Sequence, residues 1–271
     1  MKRHDLSLWL LLLCAFAIFT VSSAFDMPYL GEHQLKSSGI ADALRPPKKA
    51  SSTTLPFPAD TAEANADSSG SMGSKGSVPT PCDTSTHTIL LIGDSMLEGI
   101  APRLAAYADH NGHTLYSVMW YSSTSKIWGS SDKLRNYISR LNPSFIIICL
   151  GANELTVRDI ASARRQYVEK IIEDIDTIPY LWIGPPNWRR DTGINALISS
   201  VASEGSFFLS DGMDFERTAD GAHPTRASAA MWVDSVVRWM PRNARHPIRM
   251  DFPEADASRP KRVFVHKPTE K

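Results

Sequence analysis

Ser144-Phe145-Ile146-Ile147-Ile148-Cys149-Leu150, halted by Gly151, is the stretch on which the fold turns. An apolar run this short, rich in β-branched residues and without polar alternation, reads as a strand buried on both faces of a parallel sheet. Working outward, Thr88 to Ile92 is a second such run, stopped by Gly93. Thr114 to Met119, Tyr180 to Ile183 (again followed by glycine) and Phe207 to Leu209 complete a set of five. Helical signals fall between them. Met96 to His110 is one, with Pro102 placing the start of its regular part, since proline suits a first turn and not an interior. Asp132 to Leu141 is amphipathic and is closed by Pro143. Ile160, Ala163, Tyr167, Val168, Ile171 and Ile175 share one stripe at helical spacing. Ile194 to Ala202 and Thr225 to Met240 are the last two, and Pro241 is expected to end the fold. Strands alternating with helices imply a parallel sheet covered on both faces. The expectation is a three-layer α/β/α, flavodoxin-like domain over residues 87–241 with a five-stranded parallel sheet.

The flanks differ from this domain. Lys2, Arg3 and His4 precede an uncharged run over residues 6–25, within a first segment of residues 1–25. Two readings stand: a cleaved signal peptide, with Ser22-Ser23-Ala24 at the cut, or an anchor, for which about 20 apolar residues suffice. Basic residues before the run send the downstream chain out of the cytoplasm in either case. The domain is therefore expected to be exported, periplasmic or at the cell surface, and in the anchor reading residues 6–25 hold it at the inner membrane. Residues 26–86 form a short apolar-spotted juxtamembrane piece and then a Ser-, Thr-, Pro-, Ala- and Gly-rich spacer. That composition cannot offset the entropy of ordering. Residues 242–271 read as a polar, solvated tail. The chain of 271 residues carries 29 basic and 29 acidic side chains, which gives no reason to expect nucleic acid as a partner. Cys14 falls in the apolar run, Cys82 in the spacer and Cys149 in a strand, so no structural disulfide is expected.

In an open parallel sheet, chemistry collects beyond the carboxyl ends of the strands. Gly93-Asp94-Ser95 follows the first strand, Gly151-Ala152-Asn153-Glu154 the third, Pro185-Pro186-Asn187-Trp188 the fourth, and Asp220-Gly221-Ala222-His223 lies beyond the fifth. A serine hydroxyl needs a neighbouring base. His223 supplies one, because imidazole titrates near neutral pH. Asp220 can fix its tautomer and stabilise the imidazolium. Ser95 sits at a strand-to-helix turn, where free N–H groups can hold an oxyanion, and Asn153 can add an amide donor. Each signal alone has a bland reading: a helix cap for Asn153, a turn for Asp220-Gly221. Their order and their common edge make the set an acyl-transfer site.

These blocks resemble the SGNH/GDSL hydrolase superfamily over residues 87–241. Gly93, Asp94 and Ser95 match its nucleophile block, Gly151, Asn153 and Glu154 its Gly-x-Asn-(Asp/Glu) block, and Asp220 with His223 its Asp-x-x-His block. The second block departs: where the family has a glycine whose N–H serves the oxyanion, this chain reads Tyr121-Ser122-Ser123-Thr124-Ser125. Placing Ser125 in the glycine's position makes Ser95, Ser125 and Asn153 the expected oxyanion hole. The resemblance implies a serine esterase or O-acyltransferase that works without cofactor or metal. No metal-ligand spacing or phosphate loop is found among the histidines and glycines.

Trp188 and Asn187, held by the Pro185-Pro186 loop, are the expected substrate-binding residues. Trp120, Tyr121 and Trp128 could join them in an aromatic wall for a sugar ring, though packing accounts for aromatics equally well. Arg164 and its neighbouring arginines read as solvated charge. The anchor and spacer resemble accessory proteins of membrane-bound O-acyltransferases. The substrate expected is an O-acylated, chiefly O-acetylated, envelope or extracellular polysaccharide. The alternatives are an O-acetyltransferase partnered with a membrane-bound O-acyltransferase, and a catalytically silent glycan-binding module.

Overall fold

The computed structural model describes residues 29–30, 33–34 and 80–268; the expected signal or anchor, most of the spacer and Cys14 lie outside the described residues. Within the first of two compact units, Tyr29–Leu30 pairs antiparallel with His33–Gln34. The second unit, Ser77–Lys271, carries the elements of interest. In chain order these are β1 (Thr88–Gly93), α1 (Leu97–His110), β2 (Thr114–Trp120), α2 (Ser125–Gly129), α3 (Lys133–Leu141), β3 (Phe145–Cys149), a 3-10 turn (Ala152–Glu154), α4 (Ile160–Ile175), β4 (Tyr180–Ile183), α5 (Ile194–Val201), β5 (Phe207–Phe208), α6 (Arg226–Asn243) and β6 (Arg262–His266).

The sheet is parallel throughout and runs β5-β4-β3-β1-β2-β6. Alternate residues of each strand feed the two faces. Ile89 and Leu91 pack with Leu97, Ile100 and Leu104 of α1 and Trp232, Val233 and Val236 of α6. Leu90 and Ile92 pack with Leu134 of α3, Val168 and Ile171 of α4, and Leu197 and Ile198 of α5. The central strand β3 is buried at every residue, which is why its sequence shows no alternation. Its register sets Cys149 beside Gly93 and Ile183, so β1, β3 and β4 end level and deliver their following loops to one edge.

The sheet has six strands rather than five. The sixth comes from the region read as a solvated tail. Arg262–His266 adds to the outer edge of β2 with Val118 opposite Phe264. Buried polar side chains fasten the segment before it: the Arg103 guanidinium donates to the carbonyls of Ala255 and Asp256, and Asn111 Nδ2–H to that of Asp251. Ile248 and Met250 enter the core. Prolines are also tolerated further into helices than expected. Pro102 lies within α1, and α6 runs past Pro241 to Asn243. The helix carbonyl of Pro102 accepts the N–H of Ser258 from the C-terminal segment.

Candidate active site

The nucleophile turn begins where Gly93 passes so close to β3 that a Cβ on it would stand 2.2 Å from the Cys149 carbonyl oxygen. The Asp94 side chain then folds back under the turn. It is fully buried, accepts the Met96 N–H at 2.9 Å and faces Asn153 Nδ2 at 3.4 Å. Burial pushes its carboxyl up to about 7, and Glu154 adds to the rise; the N–H groups of Met96 and Ala152 and the nearby His223 oppose it. With Asp94 turned inward, Ser95 is left partly exposed at the sheet edge, just before α1.

His223 reaches Ser95 from the other end of the domain. Its loop is a tight hairpin closed by Thr218 N–H to the His223 carbonyl and Thr225 N–H to the Glu216 carbonyl, both at 2.8 Å. The Thr225 side chain then caps α6. Inside the hairpin, Asp220 Oδ1 accepts from Thr218 Oγ1 and from the N–H groups of Ala222 and His223 at 2.8, 2.8 and 3.0 Å. Its Oδ2 lies 2.6 Å from His223 Nδ1, and His223 Nε2 lies 2.8 Å from Ser95 Oγ. Partial burial works to raise the Asp220 carboxyl, but the donors converging on it hold it far below the usual carboxylate range. An ionised Asp220 requires the proton on Nδ1, which leaves the Nε2 lone pair facing the serine hydroxyl. This arrangement can activate a serine hydroxyl for acyl transfer.

No protein-family model and no curated protein sequence matches the chain. Solved structures similar to it include the psychrotrophic esterase EstA from Pseudoalteromonas sp. (17% identity, 56% of this chain and 97% of that one, TM-score 0.42). A family 3 carbohydrate esterase from Clostridium thermocellum matches at 17% identity over 58% of this chain and 100% of its own, TM-score 0.42. The C-terminal catalytic domain of peptidoglycan O-acetyltransferase A from Streptococcus pneumoniae matches at 13% over 59% and 99%, TM-score 0.40. At these values the likenesses transfer no activity to this chain; the hydrogen-bonded geometry carries the chemistry.

The expected oxyanion hole is revised at one position. Ser125 is fully buried, and its N–H donates at 2.8 Å to Glu154 Oε2, so it cannot serve an oxyanion. Its hydroxyl donates to Glu154 Oε1 at 2.8 Å, which also takes Arg164 Nε–H at 2.6 Å. Ser122, three residues before Ser125, has a backbone conformation that favours glycine. Its φ is +57°, a left-handed backbone that non-glycine residues seldom adopt. Among the described residues its N–H has no hydrogen-bond partner, and neither has that of Ser95. Asn153 lies between the two loops and donates to the Ser123 carbonyl at 3.0 Å. The fully buried Glu154 thus clamps the second block to the third. Arg164, read as solvated, is largely buried as its counter-ion.

The expected substrate-binding pair has other duties. Asn187 donates to Asp211 Oδ1 at 2.9 Å, and its own oxygen accepts from Asn195 Nδ2 at 3.0 Å, so its amide braces the loop against α5. Trp188 donates from Nε1 to the Ala152 carbonyl at 2.9 Å, with the Arg189 guanidinium over its ring at 4.5 Å. Trp128 is wholly buried and donates to Ser123 Oγ, and Trp120 is buried beside it. Trp120 and Trp128 support the loops of the site from within and make no open wall, while Trp188 stays partly exposed. Tyr121 is partly exposed and donates to the Glu98 carboxylate, which lifts its phenol to about 12.

Proposed function

We propose that this protein is an exported serine esterase that removes short acyl groups, acetyl above all, from O-acylated envelope or extracellular polysaccharide. The observation that carries the chemistry is the chain of hydrogen bonds from Asp220 through His223 to Ser95 Oγ. In the first half-reaction Ser95 Oγ attacks the ester carbonyl carbon as His223 Nε2 takes its proton. The N–H groups of Ser95 and Ser122 are free for the charge that develops on the carbonyl oxygen, and the Asn153 amide joins them by giving up its long contact with Asp94. His223 then returns the proton to the departing sugar oxygen, leaving acyl-Ser95. In the second, water attacks the acyl carbon with His223 as base, and Ser95 recovers its proton as the carboxylic acid departs.

Export and a polysaccharide substrate are supported by the sequence. A basic start, an uncharged run over residues 6–25 and a polar spacer suit a domain standing outside the cytoplasm, where such polymers are. A sugar hydroxyl in place of water turns the second half-reaction into acyl transfer, and a membrane-bound O-acyltransferase would then be the partner that supplies the acyl group. Hydrolysis of 4-nitrophenyl acetate by wild-type protein and by Ser95→Ala tests the chemistry: equal rates end the enzyme reading. Acetate released from an O-acetylated glycan, against acetate appearing on an unacetylated acceptor, separates esterase from transferase.

A further inference from the structure

A groove of about 530 Å³ opens between α1, α6 and the C-terminal segment; its lining begins at Gly99, four residues after Ser95, and at Arg226, three after His223. It runs along the two helices that follow the catalytic residues: Gly99, Pro102 and Arg103 line it from α1, and Arg226, Ala227, Ala230 and Asp234 from α6. Its floor is low because the helices touch there: a Cβ on Gly99 would meet the Ala229 Cβ at 2.8 Å. At about 1.5 Å of rise per residue, the stretch from Gly99 to Arg103 extends the groove about 6 Å along α1, starting four residues past Ser95.

Two observations say what it holds. The first is its side of the reaction. His223 protonates the departing oxygen, so the alcohol part of the ester leaves past His223, and the groove begins three residues on, at Arg226, where α6 starts. The second is its lining. Phe252 is 59% exposed and forms one wall, with the Arg103 guanidinium stacked 4.6 Å from its ring centroid. Around that ring and the alanine floor, Arg226, Asp234 Oδ2 and the Asp256 carboxylate have no hydrogen-bond or ion-pair partner among the described residues. Asp234 Oδ1 is taken by Arg103 and Tyr107, so what stays open is its second oxygen, the Asp256 carboxylate and Arg226, and an acyl chain has no use for these. A pyranose ring uses both parts, laying its C–H face on the aromatic and its hydroxyls against the carboxylates.

We propose that this groove is the alcohol-side subsite and binds the glycan chain that bears the ester. The proposal rests on the acyl-transfer reading above and names its substrate more closely. Its first test needs no turnover. Calorimetric titration of unacetylated xylohexaose and of chitohexaose into Ser95→Ala protein should show binding of at least one of them. Adding Ala230→Phe, which fills the groove, or Phe252→Ala, which removes its wall, should weaken that binding at least tenfold at an unchanged melting temperature. In the active protein the same changes should lower kcat/KM for the O-acetylated hexasaccharide at least tenfold relative to an O-acetylated methyl glycoside, a ratio that cancels any loss common to both. Binding of neither sugar, or binding and ratio both indifferent to the two variants, overturns the proposal. So does a fall in the 4-nitrophenyl octanoate to acetate ratio in place of the saccharide ratio, which would make the groove an acyl pocket. Wild-type protein inert toward every ester, while Ser95→Ala still binds the sugar through Ala230 and Phe252, would sink the enzyme reading and leave the subsite standing.

Discussion

Glu154→Gln tests whether a buried carboxylate, remote from the reacting atoms, holds the oxyanion hole together. Glu154 is fully buried and receives three donors: Ser125 N–H and Oγ–H at 2.8 Å each and Arg164 Nε–H at 2.6 Å. Glutamine keeps the shape but replaces one acceptor oxygen by an NH2, so one donor must face another whichever way the amide turns. The change also leaves the Arg164 guanidinium, with its side chain only 17% exposed, without its counter-charge. Removing one partner of a buried pair costs about 3–5 kcal/mol; some access to water places this case near the lower end, at about 3 kcal/mol. For a domain of this size that corresponds to a fall in melting temperature of roughly 6–12 °C. The assay is thermal unfolding by circular dichroism, read beside kcat for 4-nitrophenyl acetate at a temperature where the variant is folded. The loop carrying Ser122 should loosen, so kcat should fall more than KM rises. Glu154→Gln combined with Arg164→Met removes both charges and should recover most of the lost stability, since an apolar pair can replace a buried ion pair at little cost. A loss below about 1 kcal/mol, set against the handicap expected for an unpaired buried charge, or a double variant no better than the single, would refute the clamp.

Asn153→Ala should lower kcat by about 10²-fold with little change in KM, the usual cost of one oxyanion donor; steady-state kinetics on an aryl acetate checks it. Asp220→Asn should cost on the order of 10⁴-fold in kcat, because an amide no longer enforces the Nδ1–H tautomer, while melting curves still report a folded domain. Asp220 also predicts a stability trend. Its folded carboxyl is depressed, so its contribution is present above the unfolded value and is lost as pH falls below about 4. The asparagine variant should therefore lose less stability than wild type in that acid range. Asp94 acts with the opposite sign. Raised from 3.8 to about 7 in the folded state, it favours folding at low pH and opposes it increasingly as pH rises from about 4 through 7, with a ceiling of about 4 kcal/mol at roughly 1.4 kcal/mol per unit. Urea melts of wild type and Asp94→Asn at pH 5 and pH 8 should show a smaller drop with rising pH in the variant; parallel drops would contradict the assignment.

The strands that build the site were legible because buried parallel strands have to be apolar without alternation. Phe145 to Cys149 and Ile89 to Ile92 have no other plausible home, and the glycines after them mark the active edge. The edge strand Arg262–His266 was not. One side of it is open to solvent, Val263 and Val265 remain 44% and 49% exposed, and its composition is that of a polar tail. It is held by backbone pairing with β2, and the segment leading to it by Arg103, Asn111 and His113, whose partners lie far away in sequence. The order Ser95, Asn153, Asp220, His223 could be read because acyl transfer needs those residue types at strand ends. Ser122 could not be found that way, since a left-handed backbone at a serine leaves no compositional trace; the glycine the family uses there was the available hint. Glu154 and Arg164 looked like a motif letter and a surface charge, and only tertiary packing joins them. Trp188 and Asn187 do lie near the active edge, and the Ala152 carbonyl, Asp211 and Asn195 take their polar groups and fix their loop, a duty that no sequence pattern announces.

The central claim is that Ser95 is a nucleophile activated by His223, and active-site labelling measures that directly. Full-length protein treated with a fluorophosphonate probe, then digested and mapped by mass spectrometry, should carry one phosphonyl group, on Ser95. His223→Ala should slow labelling by orders of magnitude while the domain remains folded, and Ser95→Ala should abolish it. Absence of the label from Ser95 in folded wild-type protein, or labelling at the same rate without His223, would contradict the account.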